Sequence, residues 1–242
     1  MPSPITLRSS DLRYPPLRYI AMQGPTKPSF DHVWRMVAEQ TSSSPAVIVQ
    51  LTEMADKHGR KCDQYLPMAE EGTAWRINDD NIWGDNWKAY LTFHSLEIIA
   101  GGAIEKRMLV LHIDKEGEKE EARIIWHFLY KRWPDYGVPT ADDINSLLKL
   151  IKLSKQYSSP NSKCIVHCSA GVGRTELDFG ILKKHDSMWV GPDLIYKAVD
   201  ILRQQRWGMV QTEEQYRFIY QVMRKLWYNK YGVADEKAGN NK

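Results

Sequence analysis

Cys168 and Arg174 lie six positions apart in the stretch His167-Cys168-Ser169-Ala170-Gly171-Val172-Gly173-Arg174-Thr175. A thiol and a guanidinium at the two ends of a short, glycine-bearing loop suit one kind of chemistry: holding an oxyanion such as a phosphate and attacking it. The residues between them, Ser169, Ala170, Gly171, Val172 and Gly173, allow the backbone to curl so that successive N–H groups point inward as an anion nest. Gly171 and Gly173 permit backbone angles and close approaches that a side chain would block. Arg174 can meet two phosphate oxygens at once with its planar fork. Thr175 opens a run that reads as a helix, whose N-terminus adds partial positive charge to the same pocket. That field favours the thiolate of Cys168, the form in which a cysteine is a nucleophile. The spacing alone also arises by chance, so context matters. An apolar run, Cys164-Ile165-Val166-His167, leads into the loop as a strand would, and a helix leaves it.

The elements that must position this loop can be read on both sides of it. Phe30 to Gln40 carries apolar residues at helical spacing, and Ala46 to Leu51 is a short apolar run typical of a buried strand. Tyr90 to Ile99, Ile104 to Ile113 and Arg123 to Tyr130 are rich in β-branched and aromatic residues and are separated by turn or charged segments, which predicts consecutive antiparallel strands. Thr140 to Tyr157 reads as an amphipathic helix with Thr140 as N-cap and Asp143 completing a capping-box-like pair. Beyond the loop, helices are predicted over Thr175 to Asp186, Asp193 to Gln204 and Thr212 to Tyr228. Strands first, a strand-loop-helix unit next and helices last describe an α+β fold: a mixed, twisted central sheet flanked by helices.

The whole chain bounds the answer further. Its 242 residues, 43% hydrophobic and 26% charged, suffice for one large core, and no linker or repeat divides them. One domain is expected over 1–232, with a polar, frayed tail over 233–242. A net charge of +3 does not argue for nucleic acid or a membrane surface. The three cysteines, at 62, 164 and 168, are too few for a disulfide framework and suit a reducing compartment. With no signal-peptide core near the start and no run approaching the ~18 apolar residues of a membrane span, a soluble, cytoplasmic protein is expected. Cys62 and Cys164 read as buried packing thiols, with Cys164 a lesser candidate for redox protection of Cys168. A zinc site is not expected, because Cys164-x3-Cys168 with one adjoining histidine lacks a second ligand pair.

With the loop in place, Trp133-Pro134-Asp135-Tyr136-Gly137-Val138-Pro139 becomes interpretable, since breaking a phosphate ester needs a proton donor for the leaving oxygen. The two segments together resemble the cysteine-dependent protein tyrosine phosphatase family. Tyr19-Ile20-Ala21-Met22-Gln23-Gly24-Pro25 is similar to that family's YIATQGP segment, with Met22 in place of a threonine. Leu51-Thr52-Glu53 through Lys61-Cys62-Asp63-Gln64-Tyr65 resembles its LTE…KCxQYWP segment, with Leu66 where tryptophan is usual. Gln211-Thr212-Glu213-Glu214-Gln215-Tyr216 resembles its glutamine loop, and the similarity runs from about residue 12 to residue 228. The resemblance implies Cys168 as nucleophile and Arg174 as phosphate and transition-state clamp, with the 169–173 backbone cradling the phosphate. It implies Asp135 as general acid and then base, Gln211 placing the hydrolytic water with Gln215 assisting, and the Thr175 hydroxyl stabilising the departing thiolate. His167 would order the loop and support a low cysteine pKa; as a residue alone it reads equally as a satisfied core histidine. Asp56 would pair with Arg174 and Lys61 would face the Asp135 loop, although both read as solvated when taken without the family register.

Two departures stand out. The family's Asn-Arg-Tyr element, whose tyrosine stacks on the substrate ring, and the following DYINAS-like strand are missing, which reads as an N-terminally shortened chain or a different mode of substrate recognition. After Thr175 the family has glycine, a small residue and a bulky apolar one, whereas here stand Glu176-Leu177-Asp178. Acids in a first helical turn suit the helix dipole, and Thr175 with Asp178 has the spacing of a capping box. The same charges oppose a phosphate dianion if they point inward. The implied activity is hydrolysis of phosphotyrosine in proteins through a cysteinyl-phosphate, with no metal or other cofactor. The alternative is a phosphatase-like module that binds phosphorylated partners, or scaffolds, without turnover. A dual-specificity phosphatase or arsenate reductase fits less well, since those shorter chains lack the Trp-Pro-Asp and glutamine segments together.

Overall fold

The structure, a computed structural model, describes residues 3–7, 17–41, 45–56, 59–69, 74–114, 117, 119–134, 137–159, 162–177 and 193–232. Ten strands are present among them: β1 (Ser3–Leu7), β2 (Leu17–Met22), β3 (Ala46–Gln50), β4 (Ala55–Asp56), β5 (Gly59–Arg60), β6 (Trp75–Ile77), β7 (Lys88–Ile99), β8 (Ile104–Asp114), β9 (Glu121–Tyr130) and β10 (Cys164–His167). The helices are α1 (Phe30–Gln40), α2 (Ile144–Tyr157), α3 (Arg174–Leu177), α4 (Leu194–Gln205) and α5 (Glu213–Tyr231).

Eight strands form one sheet in the order β1-β2-β10-β3-β9-β8-β7-β6, and β4 and β5 make a separate two-stranded hairpin. The centre is parallel: β10 lies between β2 and β3, with Cys164 opposite Tyr19 on one side and Val47 on the other, and β3 continues parallel to β9. The flanks are antiparallel, through β9-β8-β7-β6 and through β2-β1. All four residues of β10 are buried, as a strand covered on both faces requires.

Period-two alternation divides the core between the two faces. Val47, Val49, Phe128, Cys164 and Val166 face a layer built from α2, α4 and α5, including Leu147, Ile151, Val199, Phe218 and Val222. Ile48, Ile125 and Ile165 face a second layer with Val33, Trp34 and Val37 of α1 and with Tyr65 and Leu66. The mixed sheet with helices on both sides is therefore as expected. So are α1, β3, β7, β8, β9, β10, α4 and α5, to within a few residues at their ends. At α2 the Thr140–Asp143 pair forms, with Thr140 Oγ1 2.7 Å from Asp143 Oδ2 and accepting from Asp143 N–H at 3.3 Å. It closes a turn ahead of the helix, which begins at Ile144. Thr212 caps α5 by accepting from Gln215 N–H at 3.2 Å, and Asp193 caps α4 by accepting from the N–H groups of Ile195 and Tyr196. The predicted helix from Thr175 is seen as far as Leu177; its remainder lies outside the described residues.

One consequence of the parallel centre governs the site. β2, β10, β3 and β9 all run the same way, so the segments after Met22, His167, Gln50 and Tyr130 leave from one edge of the sheet. Carboxyl ends of parallel strands are where α/β sheets bind ligands.

Candidate active site

β10 ends at His167, and the chain turns through Cys168–Gly173 into α3. Two donors converge on the sulfur of Cys168, which is 4% exposed: Gly171 N–H at 3.2 Å and Thr175 Oγ1 at 3.1 Å. Donors placed in this way can solvate a negative charge on sulfur without water. Gly171 has φ +73°, and a Cβ there would lie 2.4 Å from the Met22 carbonyl oxygen, so only glycine fits. At Gly173 a Cβ would come within 2.8 Å of Gln211 Oε1 and 3.1 Å of Gln215 Nε2, the ends of two side chains that would have to shift to admit it.

The loop is fastened by three other segments leaving or reaching the same edge. Gly24 N–H donates to Ser169 O at 2.7 Å, Leu51 N–H to His167 O at 2.8 Å, and Val210 N–H to Val172 O at 3.1 Å. Gly24 is the crossing point, because a Cβ there would fall 2.7 Å from both Cys62 Cβ and Lys61 O and 2.8 Å from Cys168 O. Ser169 is half-buried and Ala170 exposed; Val172 is half-buried.

Arg174 is buried at the start of α3 and donates through Nη1 to Leu51 O at 3.4 Å. The side chain of Asp56, expected against Arg174, lies outside the described residues. Lys61 sits on the turn after β5, its N–H bonded to Met54 O at 2.8 Å. Asp135 and Tyr136 also lie outside the described residues, but their flanks are placed. Trp133, 5% exposed, packs edge-on to Phe218 and donates its indole N–H to Gly137 O at 3.1 Å, bracketing the two. Asp178 and the Glu176 side chain fall outside the described residues as well.

Gln211 and Gln215 come together against Gly173. Gln215 is buried, and its Oε1 accepts from Gln211 N–H at 2.9 Å. The residue before them carries strain: Val210 has φ +54°, a left-handed conformation that a β-branched side chain avoids. Such a conformation costs on the order of 1–3 kcal/mol and persists only where the surroundings impose it. Here Val210 is 1% exposed, its N–H is tied to Val172, and its carbonyl accepts from Arg203 Nη2 at 3.0 Å.

His167 is placed as a satisfied core histidine at the end of β10. It is fully buried, its Nδ1–H donates to the Cys168 carbonyl at 3.1 Å, and its Nε2 accepts from the Tyr65 hydroxyl at 2.8 Å. The tautomer follows from the carbonyl, which can only accept. Burial pushes its pKa down to about 4, against a smaller opposing effect of the bond to Cys168. The ring is therefore neutral near pH 7, so it orders the loop through the Cys168 carbonyl and brings no positive charge to the sulfur.

The packing thiols are as expected, with one change of emphasis. Cys62 and Cys164 are buried, and burial, with Asp63 adding, pushes the Cys62 thiol up to about 12. Cys164 cannot guard Cys168, because four extended Cα-to-Cα steps separate their Cα atoms by about 13 Å. Cys62 is the thiol beside the loop, across Gly24. Gly24, Tyr65 and Val210 are the contributors that residue-by-residue reading passed over. Only the Gly24-Pro25 turn dipeptide carried a local signal. No group of three or more His, Cys, Asp or Glu suited to a metal occurs among the described residues.

A sheet that delivers four loops to one edge and aims two donors at a cysteine sulfur defines a cysteine-centred domain of the α+β class. The protein-tyrosine phosphatase family profile matches residues 8–225, and the chain belongs to that family. It is 36% identical over 226 residues to mouse receptor-type tyrosine-protein phosphatase C, covering 91% of this chain, and 34% identical over 210 residues to chicken receptor-type tyrosine-protein phosphatase S, covering 85%. The chain spans 16% and 12% of the lengths of those two relatives. Among solved structures, PTPN18 in complex with HER2-pY1196 phosphopeptides superposes with a TM-score of 0.71 at 26% identity, covering 87% of this chain and 67% of that one. The Trypanosoma cruzi tyrosine phosphatase TcPTP1 superposes with a TM-score of 0.74 over 97% of this chain and 74% of its own, a likeness of fold at 24% identity. No helix among the described residues is long and apolar enough to cross a membrane.

Proposed function

We propose that this chain is a protein-tyrosine-phosphatase domain that hydrolyses phosphotyrosine in proteins in two steps. The observation that carries the proposal is the pair of donors on Cys168, Gly171 N–H at 3.2 Å and Thr175 Oγ1 at 3.1 Å, at the edge where Arg174 and the two glutamines meet the same loop. In the first step the Cys168 thiolate attacks phosphorus, the P–O bond to the tyrosine breaks, and Asp135 gives its proton to the departing phenolate oxygen. Arg174 and the 169–173 amides hold the phosphoryl oxygens throughout. In the second step Gln211, backed by Gln215, places a water on the cysteinyl-phosphate. Asp135 takes the proton of that water, the P–S bond breaks, and the Thr175 hydroxyl stabilises the thiolate that leaves. His167 keeps the Cys168 carbonyl turned away from the phosphate. We place the domain over 1–232, with 233–242 as a tail, acting on tyrosine-phosphorylated partners in a reducing, cytoplasmic setting that suits three free cysteines.

Glu176-Leu177-Asp178 favours a second reading, a module that binds phosphorylated partners with little turnover. Single-turnover hydrolysis of phosphotyrosine and phosphoserine peptides by the parent, Cys168→Ser and Asp135→Ala separates the two. The parent should cleave the phosphotyrosine peptide, Cys168→Ser should bind it without cleavage, and Asp135→Ala should be slower by ~10²–10⁴-fold. Binding without any turnover by the parent under reducing conditions sinks the enzyme reading. Equal rates on both peptides sink the preference for phosphotyrosine.

A further inference from the structure

Arg107, in the middle of β8, is 2% exposed, a depth at which a charged side chain needs a partner. Its partner is Glu105, two residues earlier on the same face of the strand, whose Oε2 accepts from Arg107 Nη2. The other carboxylate oxygen, Oε1, accepts from Lys131 Nζ at 2.9 Å. These two cations belong to different halves of the site. Lys131 is the first residue after β9 and the stem of the segment that carries Trp133 and Asp135. Its N–H is also tied to Ala103 O at 2.9 Å, so the stem is bound to the β7–β8 turn by backbone and side chain together.

Arg107 reaches the other half. It stands opposite His127 in the β8–β9 register, and His127 Nε2 lies 3.1 Å from Gln50 Oε1. Gln50 donates through Nε2 to Thr52 O at 2.7 Å and lies 3.6 Å from Cys62 Sγ, so its Oε1 is the acceptor and His127 Nε2 carries the proton. His127 Nδ1 is then an acceptor, and among the described residues it has no hydrogen-bond partner; neither have the donors Nε and Nη1 of Arg107. The Tyr65 ring meets His127 edge-on at 6.1 Å and His167 at 5.4 Å, and His167 holds the Cys168 carbonyl. A buried guanidinium with two nitrogens unpaired among the described residues is a poor choice for stability alone, since apolar side chains fill such space without orphaned donors.

We infer that Glu105 is a positioning residue for the reaction proposed above: one oxygen anchors on Arg107, beside the polar chain that underlies the Cys168 loop, and the other holds Lys131 at the stem of the Asp135 segment. The carboxylate thus ties the stem of that segment to the strand that lies beside the chain under the nucleophile loop. Glu105 touches neither substrate nor reacting atoms, and its effect passes through Lys131 and the stem.

The inference rests on the proposed two-step chemistry and is tested apart from it. kcat/KM is measured for the parent, Glu105→Gln, Arg107→Met, Lys131→Met and Asp135→Ala on aryl phosphates of graded leaving-group pKa. A misplaced acid matters most for poor leaving groups, and a displacement near ~1 Å can cost ~10²-fold. Glu105→Gln, Arg107→Met and Lys131→Met should lose about 10-fold on the poorest leaving group and less than about 2-fold on the best. A merely structural role lowers all substrates alike. A uniform loss, or none, in Glu105→Gln while Asp135→Ala steepens the dependence overturns the inference. If Asp135→Ala itself does not steepen it, the proposed acid fails instead. Amide hydrogen exchange over 131–134, read without turnover, then decides: faster exchange in Glu105→Gln sustains the link to the stem, and unchanged exchange overturns it. Glu105→Gln keeps shape and one acceptor oxygen, so the test stands if Arg107→Met does not fold.

Discussion

Replacing Gly171 by alanine tests whether the nucleophile loop is held by close approach as well as by backbone conformation. Two costs are expected. At φ +73° an alanine sits in the left-handed region, worth ~1–2 kcal/mol. Its Cβ would also stand 2.4 Å from Met22 O, 2.6 Å from Met22 C and 2.7 Å from Gln23 N. These are backbone atoms at the end of β2, which pairs with β10, so they cannot swing aside as a flexible side chain would. Relieving such overpacking costs a further ~1–3 kcal/mol. Gly102→Ala is the control: φ is +85° and nothing lies within 4 Å of its Cβ, so only the first cost applies. Urea unfolding followed by fluorescence reads both variants. With m near ~2 kcal/mol/M, Gly171→Ala should lower the midpoint by ~1–2.5 M and Gly102→Ala by ~0.5–1 M. Displacing the loop also moves the Gly171 N–H away from Cys168 Sγ, so turnover should collapse in the first variant and persist in the second. Equal midpoints for the two variants, or a Gly171→Ala protein within ~0.5 kcal/mol of the parent, would refute the close-approach argument.

Two further outcomes follow from the same site. His167, at about 4 in the fold against an ordinary 6.5, takes up its proton mainly in the unfolded chain. The stability it leaves intact above about pH 6.5 is therefore lost as pH falls toward 4, by roughly 3 kcal/mol at most, and His127, pushed well down by burial, acts in the same direction. The advantage of the parent over His167→Gln in urea midpoint should shrink between pH 7 and 4.5, and parallel curves count against a buried neutral imidazole. Thr175→Ala removes the hydroxyl donor 3.1 Å from Cys168 Sγ, a bond to a charged group worth ~1.5–3 kcal/mol, or ~10–10²-fold in rate. In the proposed mechanism the loss falls on the step that expels the thiolate, so rapid-quench kinetics should show a burst of phenol with cysteinyl-phosphate accumulating. A slower reaction without a burst would place Thr175 elsewhere in the mechanism.

Much of this domain is written in local pattern. The apolar face of α1, the buried run of β10, the alternation of β7 to β9 and the caps Asp193 and Thr212 each depend on neighbours a few residues away, and each is where its sequence places it. The strands β1, β2 and β6 are harder to see. They are short or irregular in pattern, and β2 in addition pairs with a strand far along the chain, with Tyr19 opposite Cys164. The role of Cys164 misleads for a related reason: nearness in sequence along an extended strand is distance in space, while Cys62, about a hundred residues away, ends up across Gly24 from the loop.

The sequence by itself determines the chemistry on offer: a thiol and a guanidinium spanning a glycine loop, an aspartate between proline and glycine, and two glutamines ahead of a helix. Covalent spacing and backbone preference suffice for those, because the groups of each motif are bonded neighbours. Only the tertiary structure decides that the loops after four parallel strands share one edge, that His167 is neutral, that Val210 is forced to φ +54°, and that Glu105 ties Arg107 to Lys131. Each of these depends on burial and on which distant strands lie side by side, and those follow from the packing of the whole core.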